Sequence, residues 1–278
     1  MKDGKRGAFV ITSNGGRNNQ QLTKDCGIIP YLLYKNHGFR SVMVGAGKFE
    51  PEQSCRAVQK YLSAKWHVPV DLIRNGWYNF PKVSFDKLFE QKENIILTVG
   101  RLGTDQKRNQ DLMEAFAKVS ADLPDWSLRL VGNIREEFKP YMENYFATHP
   151  ALKERVIFTG IIEDKIELAN EFKRAKIFCL TSTYEGAPNV AAEALFGGDF
   201  IITSAVDAAS DMIDDNKCGR VFPVGNVDAL ANIFREVCNN DELILTGGQH
   251  AIEYAHRQFD AEHIVARLHY LLYGGNAQ

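Results

Sequence analysis

From Val68 onward, short apolar runs alternate with segments of helical spacing almost to the end of the chain, and that alternation decides the fold class. Val70 to Ile73 reads as a strand ending at the Asn75-Gly76 turn, and Asn94 to Val99 as a strand buried on both faces. Leu112, Ala115, Phe116 and Val119 then fall at i, i+3, i+4 and i+7, the spacing of one helix face. Further strands are expected at Ser127 to Val131, Val156 to Thr159, Lys176 to Leu180 and Phe200 to Thr203. Between and after them run helices through Ile166, Ala169 and Phe172, over Asn189 to Phe196, and through Leu230, Ile233, Phe234 and Val237. Ile264, Val265, Leu268, Leu271 and Leu272 form a last amphipathic helix. A doubly wound α/β sheet is the architecture this predicts.

The N-terminal region is shorter than one wound domain. Ala8 to Thr12 reads as a strand, Ser13 to Arg17 as a glycine-bearing turn, and Ile28 to Tyr34 followed by Ser41 to Gly45 completes one βαβ unit. Ser54 to Lys65 has helical spacing at Val58, Tyr61 and Leu62. The expected division is an abbreviated α/β region over 1–66 and a larger α/β domain over 67–278. Charge is divided too. Residues 1–75 hold 12 Lys and Arg against 5 Asp and Glu, leaving 21 against 30 in the remainder. A basic first quarter suits an anionic partner such as a phospholipid surface. No apolar run reaches the roughly 18 residues of a membrane helix. The stretch Ala8 to Ile11 runs straight into polar sequence, unlike a signal peptide, so a cytoplasmic protein is expected. Five scattered cysteines, Cys26, Cys55, Cys179, Cys218 and Cys238, show no CxxC spacing, so neither a disulfide framework nor a zinc site is indicated.

In open α/β sheets ligands bind beyond the carboxyl ends of the strands, so chemistry is sought in the turns there. The turn after Val99 carries Gly100, Arg101 and Lys107, two cations beside the start of the next helix. Arginine can grip two phosphate oxygens at once and lysine adds a mobile point charge, a combination suited to a diphosphate. The second turn reads Ser182-Thr-Tyr-Glu185-Gly186-Ala187-Pro188-Asn189-Val190, running into a helix that contains Glu193. Gly186 permits close backbone approach, Pro188 suits the first helical position, and the free amides of a helix start attract an anion. Glu185 is expected to accept hydrogen bonds from neutral hydroxyls. Glu193 suits a vicinal diol such as a ribose.

The string Gly100-Arg101-Leu102 with Lys107, then Glu185 and Glu193 within EGAPNVAAEA, resembles the retaining glycosyltransferases of family 4. Asp71 to Gly76 is similar to that family's interdomain crossover, and Arg155 to Gly160 to its base-binding strand and loop. The resemblance covers roughly residues 54 to 274. It implies a GT-B architecture of two Rossmann-like domains and transfer from a nucleotide-sugar with retention of configuration, with no metal and no further cofactor. It further implies that Arg101 and Lys107 stabilise the diphosphate leaving group, that Glu193 binds the ribose, and that Glu185 contacts the donor sugar. Gly100, Gly160, Gly186, Ala187, Pro188, Asn189 and Val190 would line the donor, and Gly15 and Gly16 match the family's first glycine turn.

Departures accompany the match. Positions corresponding to the middle of the family's N-terminal domain are missing between about Gly45 and Ser54, and neither His37 nor His67 takes the place of the family's N-domain histidine. Asp199-Phe200 stands where a proline-containing step is usual, and Ala208-Ala209 where two glycines are common. Two functions stay open. One is a glycosyltransferase acting on a glycan or lipid-linked acceptor at the cytosolic membrane face. The other is a nucleotide-sugar-binding module, catalytically incomplete, whose unpaired sheet edges are covered by the last helix, a partner chain or a homodimer mate. An NAD enzyme is disfavoured because no GxGxxG follows the first strand. Nucleic acid is disfavoured because aromatic and basic residues do not interleave.

Overall fold

The computed structural model describes residues 8–12, 40–44, 60, 63–64, 67, 70–73, 88–185, 188–206 and 208–273. Strands β1 (Ala8–Thr12), β2 (Arg40–Val44) and β3 (Val70–Ile73) form one parallel sheet in the order β1-β2-β3. Ala8 lies opposite Arg40, and Ser41 opposite Val70. This sheet belongs to a unit gathering Met1–Phe80, Glu185–Ala187 and His256–Gln278.

The second unit, Pro81–Tyr184 with Pro188–Ala255, is built around six parallel strands. In chain order its elements are β4 (Glu93–Val99), α1 (Asn109–Val119), β5 (Ser127–Val131), α2 (Lys139–Thr148) and β6 (Val156–Gly160). They continue with α3 (Lys165–Arg174), β7 (Ala175–Leu180), α4 (Asn189–Gly197), β8 (Phe200–Ser204), α5 (Ala209–Met212), β9 (Gly219–Phe222) and α6 (Val227–Cys238). Helix α7 (Asp241–Phe259) and helix α8 (Ala261–Tyr273) close the chain. The sheet order is β6-β5-β4-β7-β8-β9. The first strand of the unit therefore lies between the second and the fourth, and the winding direction reverses between β4 and β7, the switch point of a dinucleotide-type fold.

Period-2 alternation puts the two faces of the strands against different helices. Ile96, Leu128, Leu130, Ile177, Cys179 and Ile202 join Leu112, Phe116, Leu230 and Phe234 of α1 and α6 in one buried cluster. Phe178, one residue out of phase on β7, instead meets Phe172 of α3, with ring centroids 5.7 Å apart. Each of these aromatic or aliphatic side chains contributes roughly 1.5–3 kcal/mol by leaving water. Helix α3 starts where the Asp164 carboxylate accepts the amides of Ile166 at 2.7 Å and Glu167 at 2.9 Å. Helix α4 stops at Gly198, left-handed at φ 71, whose amide reaches back to the last turn.

The step Asp199-Phe200 has a structural explanation. Asp199 is fully buried and pairs at 2.7 Å with the equally buried Lys92, whose ammonium also donates to the carbonyls of Phe172 and Ala175. The pair ties the start of β4 to the end of α3 and the entry of β8. Cys179, Cys218 and Cys238 are buried free thiols, and burial pushes that of Cys218 up to about 12. Among the described residues no helix is long and apolar enough to cross a membrane. The Ile28 to Tyr34 segment and most of Ser54 to Lys65 lie outside the described residues.

Candidate functional site

The carboxyl ends of β4, β5 and β6 are drawn together by glycine. Gly100 donates its amide to the carbonyl of Val131 at 2.9 Å, and Gly132 donates to Gly160 at 2.8 Å. A Cβ on Gly132 would stand 1.8 Å from the Gly100 carbonyl oxygen, so only glycine permits this approach. Gly100 itself has φ 153, and the Lys107 side chain folds over it, its Cε 3.6 Å from where a Cβ would lie. That contact places the ammonium at the mouth of β4.

Residues 100–108 form a loop held at several points. The Gly103 amide donates to the buried Asn109 side chain at 2.9 Å, and the amides of Lys107 and Arg108 both reach the Thr104 carbonyl. Arg108 is the N-cap of α1 in the left-handed region, φ 45, and forks onto Asp111 at 2.6 and 3.1 Å. Its guanidinium lies over Gly225, where a Cβ would be only 3.2 Å away.

Across the switch point this loop is stitched to the one after β7. The Thr181 hydroxyl donates to the Lys107 carbonyl at 2.7 Å, and the Thr183 amide to the Gln106 carbonyl at 2.8 Å. The Gln106 carboxamide accepts from Arg101 Nη2 at 2.9 Å and donates to the Tyr184 carbonyl at 3.1 Å. Arg101 is exposed and Lys107 partly so. The two motifs singled out from sequence therefore meet, 78 residues apart in the chain, through Gln106.

Pro188 stands one position earlier than its residue type suggested. It is the N-cap of α4, with φ −67 and ψ 123, and Asn189 is the first helical residue. Pro188 has no capping side chain; the first turn begins with exposed Asn189 and half-buried Val190, and the Ala191 amide donates to the Pro188 carbonyl at 3.0 Å. One turn further in, Glu193 is half-buried. Burial raises its carboxyl above the ordinary 4.5, and the Lys165 ammonium at the start of α3 partly opposes that rise. Glu185 is also half-buried and is grouped with the first unit. Gly15, Gly16, Gly186 and Ala187 lie outside the described residues, as does His37. His67 is an exposed turn residue with φ 53. Arg155, at the head of the segment likened to a base-binding strand, spends its guanidinium on the carbonyls of Ser120, Leu123 and Trp126 and is structural. Among the described residues no cluster of three or more His, Cys, Asp or Glu could hold a metal ion.

Gln106, Thr181, Thr183 and Arg108 were not expected from the sequence. Their partners are distant in the chain or depend on a backbone angle, and residue type alone carries no sign of either.

The family model for glycosyl transferases group 1 matches residues 79–257. The chain is 30% identical over 179 residues to an α-1,4-N-acetyl-D-galactosaminyltransferase of Campylobacter jejuni, covering 63% of this chain and 46% of that protein. It is 28% identical over 167 residues to the N-acetyl-α-D-glucosaminyl L-malate synthase of Bacillus anthracis, covering 60% of this chain and 42% of that one. The chain thus spans less than half the length of these curated relatives. In fold it is similar to Anabaena HepE, solved with UDP-glucose, at a TM-score of 0.65 and 18% identity over 93% of this chain and 77% of the other. With the matched region spanning the β4 and β7 turns and the whole six-stranded sheet, the chain belongs to the glycosyl transferases group 1, the family 4 glycosyltransferases of GT-B type.

Proposed function

We propose that this protein transfers a glycosyl group from a nucleotide-sugar to a glycan or lipid-linked acceptor with retention of configuration, using its own cations in place of a metal. The observation that carries the reading is the hydrogen-bonded joining of the Arg101–Lys107 loop to the β7 loop at the switch point, with Lys107 folded over Gly100. In this reading Arg101 and Lys107 hold the diphosphate, the α4 amides assist, Glu193 accepts from the ribose hydroxyls, and Glu185 accepts from the sugar. Gly100 and Gly160 leave room for the donor backbone, with Gly15, Gly16, Gly186 and Ala187 in the roles their motifs imply. As the glycosidic bond loosens, negative charge grows on the departing phosphate oxygen. Preorganised cations and amides aimed there lower the barrier by several kcal/mol, on the order of what a lost oxyanion donor removes in other enzymes. The basic residues of the first quarter would bring the protein to an anionic membrane surface.

The test is a transfer assay with UDP-, GDP- and ADP-sugars against lipid-linked and free glycan acceptors, in buffer containing a chelator. We expect release of nucleoside diphosphate, a product whose anomeric configuration by NMR matches the donor's, and loss of at least about 100-fold in rate for Lys107→Ala. Inverted product, or turnover unchanged in Lys107→Ala, would overturn the mechanism. Diphosphate binding without any turnover would instead identify a binding module.

A further inference from the structure

We propose that Gln106 is a positioning residue: its carboxamide sets the Arg101 guanidinium for the diphosphate and locks that guanidinium to the loop leading into α4. The inference rests on the reading of Arg101 given above and adds a residue that no motif contains.

The geometry allows only one orientation of the amide. Arginine is solely a donor and a backbone carbonyl solely an acceptor. Oε1 must therefore face Arg101, at 2.9 Å, and Nε2 must face the Tyr184 carbonyl, at 3.1 Å. A flipped amide would set donor against donor and oxygen against oxygen. The backbone of the same residue is fastened as well, its carbonyl accepting from the Thr183 amide at 2.8 Å. Gln106 is thus held at both ends by the β7 loop and offers Arg101 a fixed acceptor.

Arg101 needs such a partner. It is exposed on a loop, and a long side chain there is free to sample many rotamers before phosphate arrives. An acceptor that is itself rigid narrows those rotamers without neutralising the charge, because a carboxamide is uncharged. A carboxylate would neutralise the guanidinium and set an oxygen against the Tyr184 carbonyl. Chain chemistry at this position is therefore specific: glutamine fits, whereas alanine removes the tether and glutamate spoils it.

The experiment is calorimetric titration of the full chain with UDP, GDP and ADP, and with the monophosphate of whichever base binds. It uses the wild type, Arg101→Ala, Gln106→Ala, Gln106→Glu and the Arg101→Ala/Gln106→Ala double variant. Gln106→Met, which keeps the side-chain volume, replaces Gln106→Ala if the latter lowers the melting temperature. From the strength of charge-assisted hydrogen bonds, Arg101→Ala should weaken diphosphate binding about 10- to 100-fold. Gln106→Ala should weaken it about 5-fold, and Gln106→Glu more than that. The double variant should be no weaker than Arg101→Ala, and monophosphate binding should stay unchanged throughout. Unaltered diphosphate affinity in Gln106→Ala, equal loss for mono- and diphosphate, or additive loss in the double variant would each overturn the inference. An Arg101→Ala variant that binds diphosphate as the wild type does, or a wild type that binds none of the three, would overturn the proposed function and this inference with it.

Discussion

Glu193 shows how burial sets the cost of a single charged residue. It sits half-buried within α4, and its carboxyl is raised above the ordinary 4.5 because burial disfavours the charged form. A carboxyl raised in the folded state favours folding only while protonated, so its contribution falls as pH climbs from about 4.5 through the shifted value. Above the shifted value the buried carboxylate is charged at a loss. We expect Glu193→Gln to raise the unfolding free energy at pH 7, because the neutral amide avoids the cost of burying a charge. That gain should vanish below about pH 4, where the acid is protonated in both states. The same variant should lose nucleotide affinity. A melting curve that is lower for Glu193→Gln at pH 7 would show instead that the carboxylate stabilises the fold. Arg108 illustrates the limit of reading residues one at a time. Nothing in its type announces a left-handed backbone at the head of α1, which the Asp111 fork and the approach of Gly225 support.

Among the secondary-structure elements, the most demanding contact is the buried pair at the amino end of the sheet. Lys92 and Asp199 are both inaccessible to water, and burial pushes the carboxyl up to about 7 while depressing the ammonium. Each group is tolerable there because the other is present, and one carboxylate oxygen of Asp199 still lacks a hydrogen-bond partner. Removing one member should expose the full desolvation penalty of the survivor. Asp199→Ala is expected to destabilise the second unit by about 3–5 kcal/mol, and Lys92→Met combined with Asp199→Leu to recover most of that loss. Denaturant midpoints at matched slopes give the comparison. A single variant within about 1 kcal/mol of the wild type would mean that water reaches the site. Apolar spacing revealed α1, α3, α4, α6, α8 and the strands β1 to β8, although in α3 the expected face is only partly buried, since Phe172 packs inside while Ile166 is exposed. Helix α7 escaped because Gly247 and Gly248 interrupt it. Gly247 is there for packing: a Cβ would lie 2.4 Å from the Phe200 ring. Strand β9 escaped because it begins with Gly219 and Arg220, which leave only Val221 and Phe222 as an apolar run. Helix α2 escaped because Tyr141, Met142, Tyr145 and Phe146 are set among polar residues with a proline at its start, so no plain apolar run marks it.

For the whole molecule, the consequential fact is the strand order, which reverses direction between β4 and β7. The reversal opens the sheet's carboxyl edge where the Arg101–Lys107 loop and the α4 start emerge, and a bound nucleotide would touch both. Ligand binding at a junction between elements should therefore stabilise the fold as a unit. A nucleoside diphosphate at 100 times its Kd should add about 2.7 kcal/mol. That corresponds to a rise of about 5–10 °C in Tm for a unit of this size. An unchanged Tm at saturating UDP, GDP and ADP would contradict a preformed nucleotide site. By itself the sequence determined the alternation of strands and helices, the two loops that carry cations and acids, and the family, because local periodicity and motif spacing are written in consecutive residues. Only the tertiary structure decided that those loops meet, that Gln106 joins them, that Arg155 is spent on backbone carbonyls and that Asp199 pairs with Lys92. Such facts depend on contacts between residues tens of positions apart, and no local pattern encodes which distant partner a polar group will find.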